Sequence, residues 1–97
     1  MRLALGAEVF PLDGPRLVVG RSRSCDIRLR DDTVSRLHAA LVWRGGTLVL
    51  EDLGSSNGTM LLTSLSGTLR LSPHKPHPLQ NGDRIRVGDT TLHFIVG

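Results

Sequence analysis

Near the middle of the chain stands AALVWRGGTLVLE, residues 39–51, in which two apolar runs flank a short link rich in glycine. The runs Ala39–Trp43 and Thr47–Glu51 each hold five residues, which is a common strand length. Their link, Arg44-Gly45-Gly46, is typical of a hairpin loop, because glycine reaches the positive φ angles that tight hairpin turns require. The stretch therefore predicts two antiparallel strands joined by a short turn.

Short apolar or alternating runs of the same kind recur on both sides of this hairpin. No window of about a dozen residues has apolar side chains at helical spacing without an interrupting glycine or proline. Further strands are expected at Leu3–Phe10, Arg16–Val19, Ile27–Leu29, Thr59–Leu62, Thr68–Leu71, Arg84–Val87 and Thr91–Val96. Nine or more short strands in 97 residues indicate an all-β chain, folded as an antiparallel β-sandwich or barrel.

Turn and loop residues separate these runs. Asp13-Gly14-Pro15 and Asn81-Gly82-Asp83 are strong turn sequences. Residues 73–78 hold three prolines, and we expect an exposed loop there because proline cannot donate to a strand ladder. Residues 20–38 and 51–59 are dense in polar side chains, so we expect function at one loop rim of the fold.

The length and composition indicate one ordinary globular domain spanning residues 1–97. No apolar run approaches the roughly 20 residues of a membrane helix, and the apolar stretch before Glu8 is too short for a secretory signal. We therefore expect a cytoplasmic domain without membrane contact. A disulfide within the chain is excluded, because Cys25 is the only cysteine.

Arginine dominates the charge of the chain. Lys75 is the only lysine among 12 basic residues, which face 9 acidic ones for a net charge of +3. A GC-rich genome accounts for this usage, and guanidinium groups also suit phosphate recognition, so the two explanations are compatible. Nucleic-acid binding is not expected, because Asp26, Asp31 and Asp32 interrupt the arginines and one tryptophan with two phenylalanines offers little base stacking.

Three short polar motifs lie in the two polar segments. They are Gly20-Arg21-Ser22, then Val34-Ser35-Arg36-Leu37-His38-Ala39, then Asp52-Leu53-Gly54-Ser55-Ser56-Asn57-Gly58-Thr59. Taken singly, they are explained by an exposed arginine at a strand end, a half-buried histidine and a tight turn. Together they supply a guanidinium fork, hydroxyls and an amide, which complement a phosphate ester on a peptide.

The order of these motifs resembles the forkhead-associated (FHA) domain family. Cys25-Asp26-Ile27-Arg28-Leu29 and Leu79–Gly88 continue the pattern, and the resemblance covers about Leu17 to Phe94. It implies an eleven-stranded β-sandwich whose loops at one end bind phosphothreonine peptides, with the threonine methyl favoured over serine. It also implies an adaptor in Ser/Thr kinase signalling or regulated assembly. The implied partner is a phosphothreonine-containing protein, such as a Ser/Thr kinase or its substrate.

The resemblance also implies roles for individual residues. Four would contact the phosphate: Arg21, Ser35, Arg36 and Ser56. Three would shape or brace the site: Gly20, His38 and Gly58. Asn57 would hydrogen-bond the peptide backbone, and the loop Arg30–Val34 would help select the residues after the phosphothreonine. Asn81-Gly82-Asp83 would be a hairpin turn between late strands.

The segment after Thr59 departs from the family pattern. Residues 60–67 stand where the family usually has a shorter segment. Leu61, Leu62 and Leu65 in this segment are expected either in the core or as an apolar contact for a partner.

A phospho-independent scaffold or oligomerisation domain is the alternative function, and the retained Arg21, Ser35 and Asn57 weigh against it. An enzyme is not expected, because Ser35 lies beside arginines rather than a base. On an extended chain, the spacing of Ser35 and His38 also points them to opposite faces. No cofactor is expected. No metal is expected either, since the histidines of the 73–78 loop have no further ligands at metal-binding spacing.

Overall fold

Eleven strands and no helix make up the part of the chain that the computed structural model describes, residues 1–63 and 67–97. In chain order the strands are β1 (Arg2–Leu5), β2 (Glu8–Pro11), β3 (Arg16–Gly20), β4 (Ile27–Arg28), β5 (Ala39–Arg44), β6 (Thr47–Asp52), β7 (Thr59–Thr63), β8 (Gly67–Arg70), β9 (His77–Pro78), β10 (Arg84–Val87) and β11 (Thr90–Ile95). Within these ranges, no helix has the length and apolar character needed to span a membrane.

The strands form two sheets that share one core. The six-stranded sheet has the order β2-β1-β11-β10-β7-β8, and the five-stranded sheet has the order β4-β3-β5-β6-β9. Paired neighbours run antiparallel, except that β3 and β4 are parallel. The prediction of an all-β sandwich is confirmed, and so is the strand number implied by the family resemblance.

The core is built by side chains that alternate between solvent and the space between the sheets. Along β10, Arg84 and Arg86 are exposed, whereas Ile85 and Val87 are buried. Phe94 of β11 is the largest buried side chain in the described residues and is 1% exposed. Burying a side chain of this kind contributes roughly 1.5–3 kcal/mol to folding. The core therefore fixes the two sheets, while the connecting loops lie at their ends.

The central hairpin forms as the sequence predicts. β5 and β6 pair from Ala39↔Asp52 to Arg44↔Thr47. The two loop residues, Gly45 and Gly46, have φ angles of 56° and 80°. Two consecutive positive φ angles characterise the tight hairpin turn whose twist matches that of the strands. The glycines are needed here because a side chain disfavours this conformation.

The single strand expected at Leu3–Phe10 is wrong, because the chain reverses within it. β1 and β2 form a hairpin in which Leu5 pairs with Glu8. Gly6 sits in the turn with a φ angle of 57°. An isolated glycine within an apolar run is a signal of such a turn. β2 consequently becomes an exposed edge strand of the six-stranded sheet.

The hairpin turn expected at Asn81-Gly82-Asp83 is also wrong. This turn leads from β9 of the five-stranded sheet to β10 of the six-stranded sheet, so it connects the two layers. The late hairpin is formed instead by β10 and β11, which pair up to Val87↔Thr90 around Gly88 and Asp89.

The proline-rich loop is largely exposed, as expected, but it ends in a strand that the sequence analysis missed. His77 pairs with Leu50 and Pro78 pairs with Val49 at the edge of the five-stranded sheet. Proline is tolerated there because an edge strand can leave one side without hydrogen bonds.

The leucines after Thr59 differ in burial. Leu61 of β7 is fully buried in the core, and Leu62 is partly exposed. Leu65 lies outside the described residues. For Leu61, a place in the core is confirmed.

We expect Phe94→Ala to lower the free energy of unfolding by about 3–5 kcal/mol, because it removes a large side chain from the shared core. Urea denaturation at equilibrium measures the change. His93→Ala is the matched control, because His93 is exposed on the same strand and its loss should change stability by no more than about 0.5 kcal/mol. Equal losses for the two variants would contradict the placement of the core.

Candidate anion-binding site

Three loops meet at one end of the sandwich. They follow β3, β4 and β6, and they carry the three polar motifs found in the sequence. The Arg21 amide donates to the Ser35 carbonyl at 3.0 Å, and the Ser56 amide donates to the Ser35 hydroxyl at 2.9 Å. The Asn57 side chain donates to the Thr33 carbonyl at 2.7 Å. The predicted site residues are thus brought together at one rim.

Arg21 is held in place from one side of its guanidinium group. Its Nε donates to the Val34 carbonyl at 3.1 Å, while the side chain remains exposed. Its two Nη groups make no hydrogen bond with the described residues. A guanidinium fixed in this way can offer both Nη groups to one anion as a bidentate pair.

Ser35 stands at the centre of the three loops. Its Oγ accepts from the Ser56 amide, which leaves the hydroxyl proton able to bond to an incoming oxygen. The Ser56 side chain is exposed beside it. Ser35 thus places one hydroxyl donor next to the Arg21 loop.

His38 connects two of the loops from beneath. It is fully buried, its Nδ1 accepts from the Ser35 amide at 3.0 Å, and its Nε2 donates to the Gly58 carbonyl at 2.8 Å. These partners assign the proton to Nε2, because Nδ1 must be bare to accept. Bends at Arg36 and Leu37 bring the ring back towards Ser35, so the extended geometry assumed from the sequence does not apply. Both ring nitrogens are engaged with backbone groups, and neither serves as a base for the Ser35 hydroxyl.

Gly20 allows two backbones to approach closely. A Cβ at this position would lie 2.2 Å from the Arg36 carbonyl oxygen. That oxygen accepts from the Ser22 amide at 3.1 Å and from the Cys25 thiol at 3.1 Å. Any side chain at residue 20 would push the Ser35–Arg36 segment away from Arg21.

Gly58 occupies a similarly restricted position on the third loop. Its φ angle is 81°, and a Cβ there would lie 2.9 Å from Nη2 of Arg70. The guanidinium of Arg70 therefore packs against the glycine backbone.

Arginines dominate the charge around Arg21. A surface cavity of about 340 Å³ is lined by Arg21, Ser22, Arg23, Arg28 and Arg36. Arg28 is tied to this group by a 3.3 Å hydrogen bond from its Nε to the Arg21 carbonyl. The two ion pairs seen in the described ranges lie elsewhere, at Glu51–His74 and Arg86–Asp89. The cavity is therefore a positively charged site of a size suited to a small anion.

A comparison with protein-family models matches residues 17–88 to the FHA domain. This chain belongs to the FHA domain family. The family assignment made from the motifs is thereby confirmed, although the matched region ends at Gly88 rather than near Phe94.

Curated relatives of this FHA domain include two bacterial regulators. The oxoglutarate dehydrogenase inhibitor of Corynebacterium efficiens is 38% identical over 88 residues, which cover 91% of this chain and 56% of that protein. The glycogen accumulation regulator GarA of Mycolicibacterium smegmatis is also 38% identical over 88 residues, covering 91% of this chain and 51% of that protein. The chain thus spans about half the length of these relatives.

Solved FHA domains share the whole fold. One, from a structural and functional study of phosphothreonine-dependent FHA domain interactions, superposes with a TM-score of 0.81 at 28% sequence identity. The match covers 99% of this chain and 95% of that one.

The FHA rim is braced by Asp31, which the sequence analysis did not select. Its Oδ1 accepts from the Thr33 hydroxyl at 2.6 Å and from the Thr33 amide at 2.9 Å, and its Oδ2 accepts from the Thr90 hydroxyl at 2.6 Å. These bonds, led by that from the Thr33 hydroxyl, lower the pKa of Asp31 to about 2. The local part of this pattern is an aspartate two residues before a threonine, which favours such a turn. The contact with Thr90 has no local signal.

Thr33 extends the brace towards Asn57. Its hydroxyl accepts from the Asp89 amide at 2.8 Å, and its carbonyl accepts from the Asn57 side chain. Asp31, Thr33 and Asp89 therefore tie the loop before Ser35 to the β10–β11 hairpin.

Asp52 plays the same role under the third loop. Its carboxylate accepts from the hydroxyls of Ser55 and Thr59 and from the amides of Gly54 and Ser55. Burial raises the pKa of Asp52, but these four hydrogen bonds outweigh it and the net pKa lies below the ordinary value. In the sequence, Asp52 is recognisable only as part of a turn.

The histidines of the proline-rich loop have separate partners. Nδ1 of His74 lies 3.8 Å from Glu51, and Nδ1 of His77 contacts the Pro78 carbonyl at 2.9 Å. Over residues 1–63 and 67–97, no three histidine, cysteine or acidic side chains cluster closely enough to hold a metal ion.

We expect Asp31→Asn to destabilise the domain at pH 7 and to lose this effect in acid. The unfolded carboxyl has a pKa of about 3.9, so the bonds of the ionised group contribute fully above about pH 4. As the pH falls towards the folded pKa of about 2, the wild type loses this contribution and the difference between the two proteins closes. Urea denaturation across this pH range measures the difference.

Asp32→Asn is the control for that series. Asp32 is exposed and accepts no hydrogen bond from the described residues, so its replacement should leave stability nearly unchanged at each pH. A difference for Asp31→Asn that stays constant down to about pH 2 would contradict the role given to its ionised form.

Proposed function

We propose that this FHA domain binds phosphothreonine peptides and acts as an adaptor in Ser/Thr kinase signalling or regulated assembly. The observation that carries the proposal is the exposed Arg21 guanidinium, anchored through Nε on the loop that presents Ser35. A solved relative from work on phosphothreonine-dependent FHA interactions supports it.

The phosphate would be held by four residues on the rim. Arg21 would supply the bidentate guanidinium, Ser35 a hydroxyl donor and Arg36 a second cation, with Ser56 beside them. A phosphothreonine carries roughly −1.5 to −2 charges at pH 7, and each hydrogen bond to a charged group contributes roughly 1.5–3 kcal/mol. Less the cost of ordering the peptide, three or four such bonds support an affinity of about 1 μM.

The peptide backbone would run past Asn57. The Asn57 side-chain amide donates one hydrogen bond to the Thr33 carbonyl, which leaves its Oδ1 and its second hydrogen free to form hydrogen bonds with the backbone of a bound peptide. A cleft of about 290 Å³ adjoins it, lined by Thr33, Asn57, Gly58, Met60, Arg86, Gly88 and Asp89. We propose that this cleft receives residues next to the phosphothreonine.

Gly20, His38 and Gly58 would act through structure alone. The first permits the close approach of the loops, and the other two share a hydrogen bond under the third loop. None of the three would need to touch the ligand.

Binding rather than catalysis fits this chemistry. Ser35 has arginines nearby, and the His38 ring is committed to backbone partners, so the serine has no base to activate it. We propose that residues 1–97 act as one cytoplasmic domain without a cofactor, and that its partner is a phosphorylated Ser/Thr kinase or a substrate of one. Two relatives are named as an inhibitor and a regulator, which supports a regulatory setting.

We expect Arg21→Ala to weaken binding of a phosphothreonine peptide about 100-fold or more, because two charge-assisted hydrogen bonds are lost. Arg21→Lys should restore little, because lysine lacks the planar fork. Fluorescence polarisation with an oriented phosphothreonine library, run beside phosphoserine and unphosphorylated pools, measures both effects.

Arg44→Ala is the matched control, because Arg44 is an exposed arginine at the opposite end of β5 from the rim. It should bind like the wild type. Wild-type affinity in Arg21→Ala would overturn the site. If the folded wild type does not bind the phosphorylated pools more tightly than the unphosphorylated pool, the phospho-independent scaffold is favoured instead.

A further inference from the structure

The arginines of the rim surround two adjoining cavities rather than one. The first is the cavity of about 340 Å³ already described, and the second, of about 390 Å³, is lined by Arg21, Arg23, Arg28, Arg30 and Asp32. Arg21, Arg23 and Arg28 border both. Arg36 borders only the first of the pair, and Arg30 only the second. We call the second one the Arg30 cavity.

The positive charge of this surface is only partly offset by carboxylates: Asp32 lines the Arg30 cavity, and Glu8 and Asp31 share a further cavity with Arg28 and Arg30. Among the described residues, none of the five arginines has a carboxylate oxygen within 4.0 Å of its side-chain nitrogens. Asp26 accepts from the Val18 amide at 2.8 Å, and Asp31 is occupied by Thr33 and Thr90. Like charges brought together without counterions repel each other, and a bound anion relieves that repulsion.

One phosphate does not account for both cavities. In the proposed site, its three acceptor oxygens are matched by Arg21 and Arg36, which line the first cavity, and by the Ser35 hydroxyl. Arg28 lies between the cavities, with its Nε held by the Arg21 carbonyl and its Nη groups left for a ligand. Arg30 then supplies a further cation that the first cavity does not contact.

We propose that the Arg30 cavity binds a second anionic group on the same phosphothreonine peptide. The group is a phosphate ester or an acidic side chain close in sequence to the phosphothreonine, since the two cavities share three arginines. The inference rests on the proposed function and extends it, because it selects peptides with two anions over peptides with one. Asp32 at the edge of the cavity opposes the second anion and limits its contribution.

The test uses phosphothreonine peptides that differ only in a second residue. Three peptides are made for each of the six positions, three before and three after the phosphothreonine. The first carries a second phosphothreonine at that position, the second carries glutamate and the third carries glutamine. We expect at least one position where the second phosphate tightens binding about tenfold over glutamine at 0.15 M salt, with glutamate between them. A gain with phosphate alone would identify a phosphate ester as the ligand, and equal gains would identify any acidic group.

Three variants locate the gain. The ratio compared is the affinity for the peptide with the second phosphate divided by that for the glutamine peptide. Arg30→Gln should bring this ratio close to one, whereas Arg36→Gln should weaken the binding of both peptides equally and leave the ratio unchanged. Asp32→Asn should raise the ratio, because it removes the opposing charge while the fold keeps its other contacts. The ratio is independent of the fraction of protein that is folded.

Several results would overturn the inference. One is a ratio near one at all six positions, and another is an unchanged ratio in Arg30→Gln. A third is duplex DNA bound as tightly as the doubly phosphorylated peptide, which would show that the surface binds polyanions in general. If singly phosphorylated peptides bind and the ratio is one, only the Arg30 cavity is refuted. If no phosphothreonine peptide binds, the proposed function itself fails.

Discussion

The buried imidazole of His38 is the contact on which the geometry of the rim depends. Its two nitrogens hold the Ser35 amide and the Gly58 carbonyl, which belong to different loops. Solvent does not reach either nitrogen in the folded protein, because the side chain has no exposed surface. Loss of the ring would leave the buried Gly58 carbonyl and the partly buried Ser35 amide without these partners, at a cost of up to roughly 1–3 kcal/mol each. Ser35 and the third loop would then lose their common support.

The charges of the rim are divided by function. Asp26, Asp31 and Asp52 direct their carboxylates to amides and hydroxyls of the loops and of the neighbouring strands, where they stabilise the backbone. They are thereby removed from competition for the arginines. Arg21 and Arg28 are each anchored through Nε to a backbone carbonyl, which fixes the cation without neutralising it. Negative charge stabilises the loops, and positive charge remains available to a ligand.

Local sequence patterns predicted most of the strands, but they did not predict contacts between residues that are distant in the sequence. The Gly45-Gly46 hairpin and the alternation in β10 carry their own signals, so both were found. The turn at Gly6 carried a local signal that was overlooked, whereas the edge strand ending at Pro78 depends on the neighbour that it acquires in the sheet. For the site, motif order placed Arg21, Ser35 and Asn57 at one rim. The brace from Asp31 to Thr90 was missed because 59 positions separate the two residues and no motif joins them.

The rim is organised before a ligand arrives, and this has a consequence for binding. Gly20 lets the Arg36 carbonyl approach β3, where the Ser22 amide bonds to it, and the Arg21 amide bonds to the Ser35 carbonyl. The backbones that carry the proposed phosphate-binding residues are thus joined by hydrogen bonds that do not depend on any peptide. The entropic cost of ordering these loops is met on folding rather than on binding. When a short peptide binds, only the peptide and a few side chains remain to be ordered. A site with so few contacts can therefore reach useful affinity, provided that the ligand supplies the negative charge that neutralises the arginines.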